Sequence, residues 1–420
     1  MPTRLEASCA PSWNPLRFDC AVSVEPPQPV EVRFAPTDGS GVERTHVSDA
    51  VAVDHDVGLY FMTPSTAYTV TSAAVAWPEL RTVGAELVTG ASTLGATLAV
   101  TGSSTAQYLG TNDPCTTDPV AVVFDAVSGQ VVWYESLGAI GRFGGMHLLR
   151  FTDDHTVLGE TDVQLVDLDL RGRDRLRLTF GVDYFEELHH DVFLRDGHYY
   201  ALYSIDYGIK LDGFLVFDAF GATVARWWSG ERLPIPPDAS GDFTHLNTLY
   251  VQDDGDILLS SFQQSTILKI DGDLASPTFG DVVWTLAGDV SGQLGQDFDV
   301  QWSGVDPPSF QNQHDVHPRF DGRLMLLDNH HRRALALTVD EVAKVAVVDE
   351  AWPVDDLVCE YQGTAIDTAD GHAYVACNGP FLVEYDAAHV PVWTGAVQCD
   401  EIVTGTGEPN AIRWTPLEGW

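Results

Sequence analysis

Three histidines recur at a shared point of a repeating unit. His190 stands in Leu188-His189-His190-Asp191-Val192, His245 in Thr244-His245-Leu246-Asn247, and His314 in Gln313-His314-Asp315-Val316. Each precedes a strand-like run, an Asp-Gly turn and a second apolar run. His147, in Gly145-Met146-His147-Leu148, has a related place one unit earlier. Imidazole attacks when neutral, donates a proton when charged, and ligates divalent metals. If the units close into a ring, equivalent positions face one axis, and the three imidazoles meet in one pocket. Such a pocket suits an anion, an acid–base reaction or a metal.

The elements that must position them are strands. Val122-Val123-Phe124-Asp125 leads to Val131-Val132-Trp133, Leu215-Val216-Phe217-Asp218 to Trp227-Trp228, Leu268-Lys269-Ile270-Asp271 to Val282-Val283-Trp284, and Val383-Glu384-Tyr385-Asp386 to Val392-Trp393. Leu165-Val166-Asp167 and a degenerate Leu335-Ala336-Leu337-Thr338 complete about six units. Asp196-Gly197, Asp254-Gly255 and Asp321-Gly322 each join two apolar runs, a hairpin signal. Two hairpins per unit make one four-stranded blade. The expected fold is all-β: a six-bladed β-propeller over residues 82–420, with its first strands lining the central channel. Residues 1–78 lack the repeat. Their alternating strands, such as Val30-Glu31-Val32-Arg33-Phe34, fit a small β-sandwich of fibronectin type III character, and Pro78 begins a linker.

With 22 basic and 61 acidic residues the formal charge is −39, which repels nucleic acid and anionic membranes. Any anion site must rely on local positive groups. No apolar run reaches membrane-spanning length. Six cysteines form no CxxC pair. Cys9–Cys20 and then Cys377–Cys399 are the expected disulfides, with buried free thiols as the alternative. The start Met1-Pro2-Thr3-Arg4 is no secretory leader. A periplasmic or extracellular protein with its leader trimmed is expected; a cytoplasmic one is the alternative. No Walker A loop, dinucleotide fingerprint or Gly-x-Ser-x-Gly elbow occurs.

The motifs His189-His190-Asp191, Asp242-Phe243-Thr244-His245-Leu246-Asn247, Ile257-Leu258-Leu259-Ser260-Ser261, Gln313-His314-Asp315 and Leu327-Asp328-Asn329 resemble the bacterial arylsulfotransferase family. The likeness extends to Glu384 and to Arg413. It implies transfer of a sulfuryl group from a phenolic sulfate ester to an acceptor phenol, without activated nucleotide sulfate, metal or organic cofactor. It implies that His314 is the nucleophile that becomes a sulfohistidine, and that His245 and His190 hold sulfuryl oxygens or move protons. Asn247, Gln313 and Asn329 lie within these motifs and are expected to bind substrate.

One position departs from the family pattern. Where an arginine is expected after Ser260-Ser261, this chain has Phe262. A neutral ring supplies no cationic fork, although it can stack on an aromatic substrate. Arg332, Arg333, His317, His330 and His331 are the candidate replacements, with a solvated basic turn as their bland alternative. Two other readings stand beside sulfuryl transfer. His190, His245 and His314 could ligate zinc or another divalent ion, with Asp191 or Asp315 orienting a ring. Alternatively, the protein is a non-catalytic ligand-binding propeller.

Overall fold

The computed structural model describes residues 3–138, 148–161, 163–288, 293–354, 359–379, 381–400 and 413–417. His147 lies outside them. The fold is all-β, and its only described helix is the single turn Ser229–Arg232.

Six amino-terminal strands, Arg4–Pro11, Phe18–Pro36, Arg44–Leu59, Ala67–Ala74, Trp77–Arg81 and Ala85–Val88, share one hydrogen-bonded sheet. The long strand Phe18–Pro36 is its spine, pairing with three others. Its even-numbered positions Cys20, Val22 and Val24, then Val30, Val32 and Phe34, are buried in one core. That alternation is the period-two pattern of a half-buried strand. Pro78 lies in a paired strand, and the hydrogen bonding continues to Val88, beyond the expected boundary at 78–82.

Six sheets follow, each built on an antiparallel meander of four strands read outward from its inner strand; the third, fifth and sixth carry a fifth strand, which pairs in parallel in the third and fifth. The second begins at Leu148–Phe151, the third at Glu187–Arg195, the fourth at Leu246–Val251, the fifth at His314–Pro318 and the sixth at Thr364–Asp367. Chain ends complete two of them. Thr415–Pro416 pairs as inner strand with Tyr108–Asn112 of the first sheet. Ala96–Gly102 pairs outside Pro391–Cys399 of the sixth. From the second sheet to the sixth the inner strands touch in chain order, Leu148–Phe151 meets Tyr108–Asn112 of the first, and Thr364–Asp367 meets Thr415–Pro416, so the series closes on itself.

The recurring tryptophans lock neighbouring sheets. Trp133, Trp227 and Trp393 are fully buried on outer strands. Their indole N–H groups donate to Leu170 O, Gly280 O and Ala126 O respectively, each in the next sheet's territory. Each ring therefore buries a large apolar surface while its one polar atom stays satisfied.

All six cysteines are paired. Cys9–Cys20 forms as expected, since the two face each other in register. The expected Cys377–Cys399 bridge does not form; Cys359–Cys377 and Cys115–Cys399 form instead. Cys377 follows the second strand of its sheet and Cys399 ends the fourth. Two strand spacings are roughly 9–10 Å, and a disulfide needs Cα atoms within about 7 Å. Free thiols are excluded as well.

Candidate active site

The inner strands carry the site, and a hydrogen-bond pattern fixes which residues correspond. Asp191 Oδ2 accepts from Leu249 N, Asp315 N donates to Thr248 Oγ1, Asp315 Oδ2 accepts from Ala365 N, and Trp414 N donates to Thr364 Oγ1. Asp191, Thr248, Asp315 and Thr364 are thus equivalent latches between successive inner strands. The residues before them are His190, Asn247, His314 and Gly363. The expectation that His245 is the counterpart of His190 and His314 is corrected: Asn247 holds that place. Bulges in all three inner strands, at Leu188/Val192, Leu246/Thr248 and His314/His317, blur the spacing that the sequence displays.

The three histidines nevertheless converge. The rings of His190 and His245 lie 4.9 Å apart between centroids, His245 and Phe262 5.0 Å, and Phe262 and His314 5.2 Å. Phe262 therefore stands between two of the imidazoles. His190, Asn247, His314, Gln362, Gly363 and Arg413 line one small central chamber of ≈ 30 Å³. His190, His245, Asn312, Asp315, Arg332 and Gln362 all have left-handed φ between 42° and 64°. Such backbone is uncommon for residues with a Cβ and gathers where a site over-determines it.

Each histidine has its Nδ1 engaged. His314 Nδ1 lies 2.9 Å from Asn329 Oδ1, His245 Nδ1 2.7 Å from Asp242 Oδ2, and His190 Nδ1 2.7 Å from His189 Nδ1. An amide oxygen only accepts, so His314 carries its proton on Nδ1 and its lone pair on Nε2. The backbone N–H of Gln362 donates to that Nε2 at 3.1 Å. Burial disfavours the imidazolium and, against the Asn329 bond and with His245 nearby, pushes His314 down to about 4. His314 is therefore neutral at physiological pH. Asp242 likewise orients His245 with Nε2 as the acceptor.

The other expected residues divide. Asn247 lines the chamber and donates from Nδ2 to Gln313 O at 2.7 Å. Asn329 holds His314 and, with Asn312, His330, Arg332, Cys359 and Glu360, lines an adjoining pocket of ≈ 260 Å³. No ion pair of Arg332 occurs among the described residues. Gln313 and Arg333 do not reach the chamber. Gln313 is fully buried and donates to Ser260 Oγ, Ser261 O and Thr266 O. Arg333 is spent on Asp328 and the carbonyls of Asp306, Pro307 and Ser309. His331 bonds Asp328 as well. His317 lines a further cavity of ≈ 740 Å³ with Arg150, Tyr250 and Arg319, and Arg413 lines both this cavity and the chamber.

The chamber's own cation is Arg413, buried and 2.6 Å from Asp315 Oδ1. The sequence reading placed it only as a family likeness. It missed Gln362 altogether, because a backbone N–H leaves no residue-type signal. For the metal alternative, no group of three or more His, Cys, Asp or Glu among the described residues is disposed to hold an ion.

The structure is thus an all-β scaffold, a closed series of sheets whose inner strands hold a buried, neutral, oriented histidine. The chain belongs to the arylsulfotransferase (ASST) family, whose model matches residues 54–345. A search of curated proteins found no match. Among solved structures, the chain is similar to a protein of unknown function from Bacteroides caccae, at 11% identity and TM-score 0.50, covering 75% of this chain and 100% of that one. It is also similar to an inactive variant of virginiamycin B lyase from Staphylococcus aureus (9%, TM-score 0.43, 75% and 91%). A third is the periplasmic gluconolactonase of Pseudomonas aeruginosa (13%, TM-score 0.41, 92% and 99%). The first likeness concerns the fold; no function follows from any of the three.

Proposed function

We propose that this protein transfers a sulfuryl group from a phenolic sulfate ester to an acceptor phenol, by a ping-pong route through His314 and without nucleotide sulfate. In this reading the six sheets are the blades of a six-bladed propeller that begins after Val88, and the amino-terminal strands before it are a fibronectin type III-like domain. The observation that carries it is His314 itself: a buried, neutral imidazole whose Nδ1–H is pinned by Asn329, leaving Nε2 as the nucleophilic atom.

Nε2 of His314 attacks sulfur, the S–O bond to the phenol breaks, and the phenolate leaves as the anion and takes its proton from solvent. The new sulfoimidazolium keeps its Nδ1–H on Asn329 Oδ1, which favours the cation. In the second half the acceptor's hydroxyl oxygen attacks sulfur, its proton goes to the bare Nε2 of His190 or His245 and from there to solvent, and the S–N bond breaks. Sulfuryl transfer, like phosphoryl transfer, needs chiefly in-line positioning and stabilised charge on oxygen. Attack requires the Gln362 N–H to leave the lone pair. From 3.1 Å it is then poised to donate to a sulfuryl oxygen.

Arg332 and Arg413 take the place of the arginine that Phe262 displaces. Arg332 would receive the donor's sulfate in the pocket beside Asn329, and Phe262 would stack on the aryl ring. Three disulfides suit a periplasmic or extracellular protein, and no described helix is long and apolar enough to cross a membrane. The test is turnover of a chromogenic phenyl sulfate with an acceptor phenol. The wild type should turn over with parallel lines in double-reciprocal plots, and His314→Ala should lose at least a thousandfold in kcat. A wild type that leaves the ester intact at every acceptor concentration would end this reading.

A further inference from the structure

Behind His190 lies a second imidazole, and behind that a carboxylate. His189 Nδ1 sits 2.7 Å from His190 Nδ1. On the other edge of the same ring, His189 Nε2 approaches Asp212 Oδ1 at 3.1 Å, an ion-pair distance without the alignment of a full hydrogen bond. Asp212 is completely buried on the third strand of the same sheet. Its second oxygen, Oδ2, accepts from Thr244 Oγ1 and Leu246 N, each at 2.7 Å. Thr244 and Leu246 flank His245, so one carboxylate touches the supports of two site histidines.

We propose that Asp212 and His189 are positioning residues that fix the proton of His190 on Nδ1, making its Nε2 the proton acceptor of the site. The inference rests on the sulfuryl-transfer reading for its catalytic consequence, but not for the tautomer. The proton order follows from the partners. Burial alone would raise Asp212, but His189, Leu246 N and Thr244 outweigh it and bring the carboxyl down to about 2. It is ionised and can only accept. His189 must therefore keep a hydrogen on Nε2, toward Asp212. In its neutral form His189 then offers a lone pair on Nδ1, and at 2.7 Å the hydrogen between the two rings belongs to His190 Nδ1. When His190 takes a proton on Nε2 from an acceptor phenol, the cation is backed by His189 and by the Asp212 charge. No proton need travel to Asp212; its role is orientation and charge.

This arrangement gives Asp212→Asn a definite outcome. The Leu246 N–H and Thr244 hydroxyl need an oxygen, so the amide oxygen stays at their side and the NH2 turns to His189. The NH2 donates, His189 Nε2 becomes the lone pair, and its Nδ1–H then donates to His190 Nδ1. His190 is left with its hydrogen on Nε2, the wrong tautomer for a base. A comparable reversal in a carboxylate–imidazole pair of serine proteases lowers kcat by about 10⁴ with the geometry intact.

The experiment is nitrogen-15 NMR of histidine-labelled protein, with His190 assigned through a His190→Gln variant. In the wild type we expect His190 with protonated Nδ1 and bare Nε2; in Asp212→Asn the two signals should exchange. Transfer in Asp212→Asn should fall at least a hundredfold in kcat with donor KM changed less than threefold, while Asp212→Glu regains part of the loss. A merely structural carboxylate would lower thermal stability without exchanging the signals. A wild-type His190 protonated on Nε2, or an unchanged tautomer in Asp212→Asn, overturns the proposal. Should Asp212→Asn fail to fold, the wild-type spectrum alone decides. If the spectra are as expected but the wild type shows no turnover, the positioning pair stands and the sulfuryl-transfer reading falls.

Discussion

At the scale of single residues, the site works through what each Nδ1 touches. Asn329, Asp242 and His189 hold three rings so that three Nε2 atoms act as acceptors in one cluster. The substitution of Phe262 for a cation is the feature most exposed to experiment. Its ring lies between His245 and His314 without offering charge to an oxyanion. Phe262→Arg should raise kcat for a phenyl sulfate ester by about a hundredfold, the low end of what one oxyanion donor contributes; an unchanged or lower kcat would mean the ring itself is used. Arg332 is expected to act in binding. Arg332→Ala should raise donor KM by roughly tenfold with kcat nearly constant, the mark of an interaction equal in ground and transition states. Steady-state kinetics with varied ester checks both.

At the scale of elements, legibility depended on period. The apolar run, the Asp, the turn and the tryptophan strand repeat openly, because each must fill the same space between sheets, and the six meanders match that pattern. At His245 the histidine spacing is two residues off the latch position, because bulges in all three inner strands shift register without altering composition. Arg413 was visible only as a likeness: the strand after it, Thr415–Pro416, is too short to show any alternation. Gln313 and Arg333 sit in motif positions yet serve as braces, because partners such as Ser260 and Asp328 come from other strands. The Cys115–Cys399 bridge joins the first and sixth sheets across 284 residues, a pairing no local rule selects. It clasps the closure of the series. Replacing both cysteines with serine should cost ~2–5 kcal/mol of stability by constraining the unfolded chain less, measured by guanidinium unfolding. Loss of less than about 0.5 kcal/mol would show that the paired chain ends close the series unaided.

At the scale of the whole molecule, acid sensitivity follows from the buried imidazoles. Burial lowers His46 and His314 to about 4, against roughly 6.5 for an exposed histidine. Between those values the unfolded chain binds protons that the folded chain refuses. Stability from these two sites is therefore full above about pH 6.5 and declines as the pH falls toward 4. Asp212, lowered to about 2, acts further down: its contribution is present above about pH 4 and is lost as the pH falls toward 2. The melting temperature should thus drop steadily from pH 7 to pH 4, and His46→Gln should flatten part of that slope. A melting temperature constant over this range would contradict the burial assigned to both rings. The same depressed pKa keeps His314 nucleophilic at mildly acidic pH, where an ordinary histidine is already charged.

In the proposed reaction His314 carries the sulfuryl group between two phenols. The most direct measurement is mass spectrometry of protein mixed with a phenyl sulfate ester and quenched before acceptor is added. One sulfuryl group per chain, located on the peptide bearing His314 and discharged when phenol is supplied, is the expected result. An adduct on another residue, or release of phenol with no adduct at any time point, would contradict it.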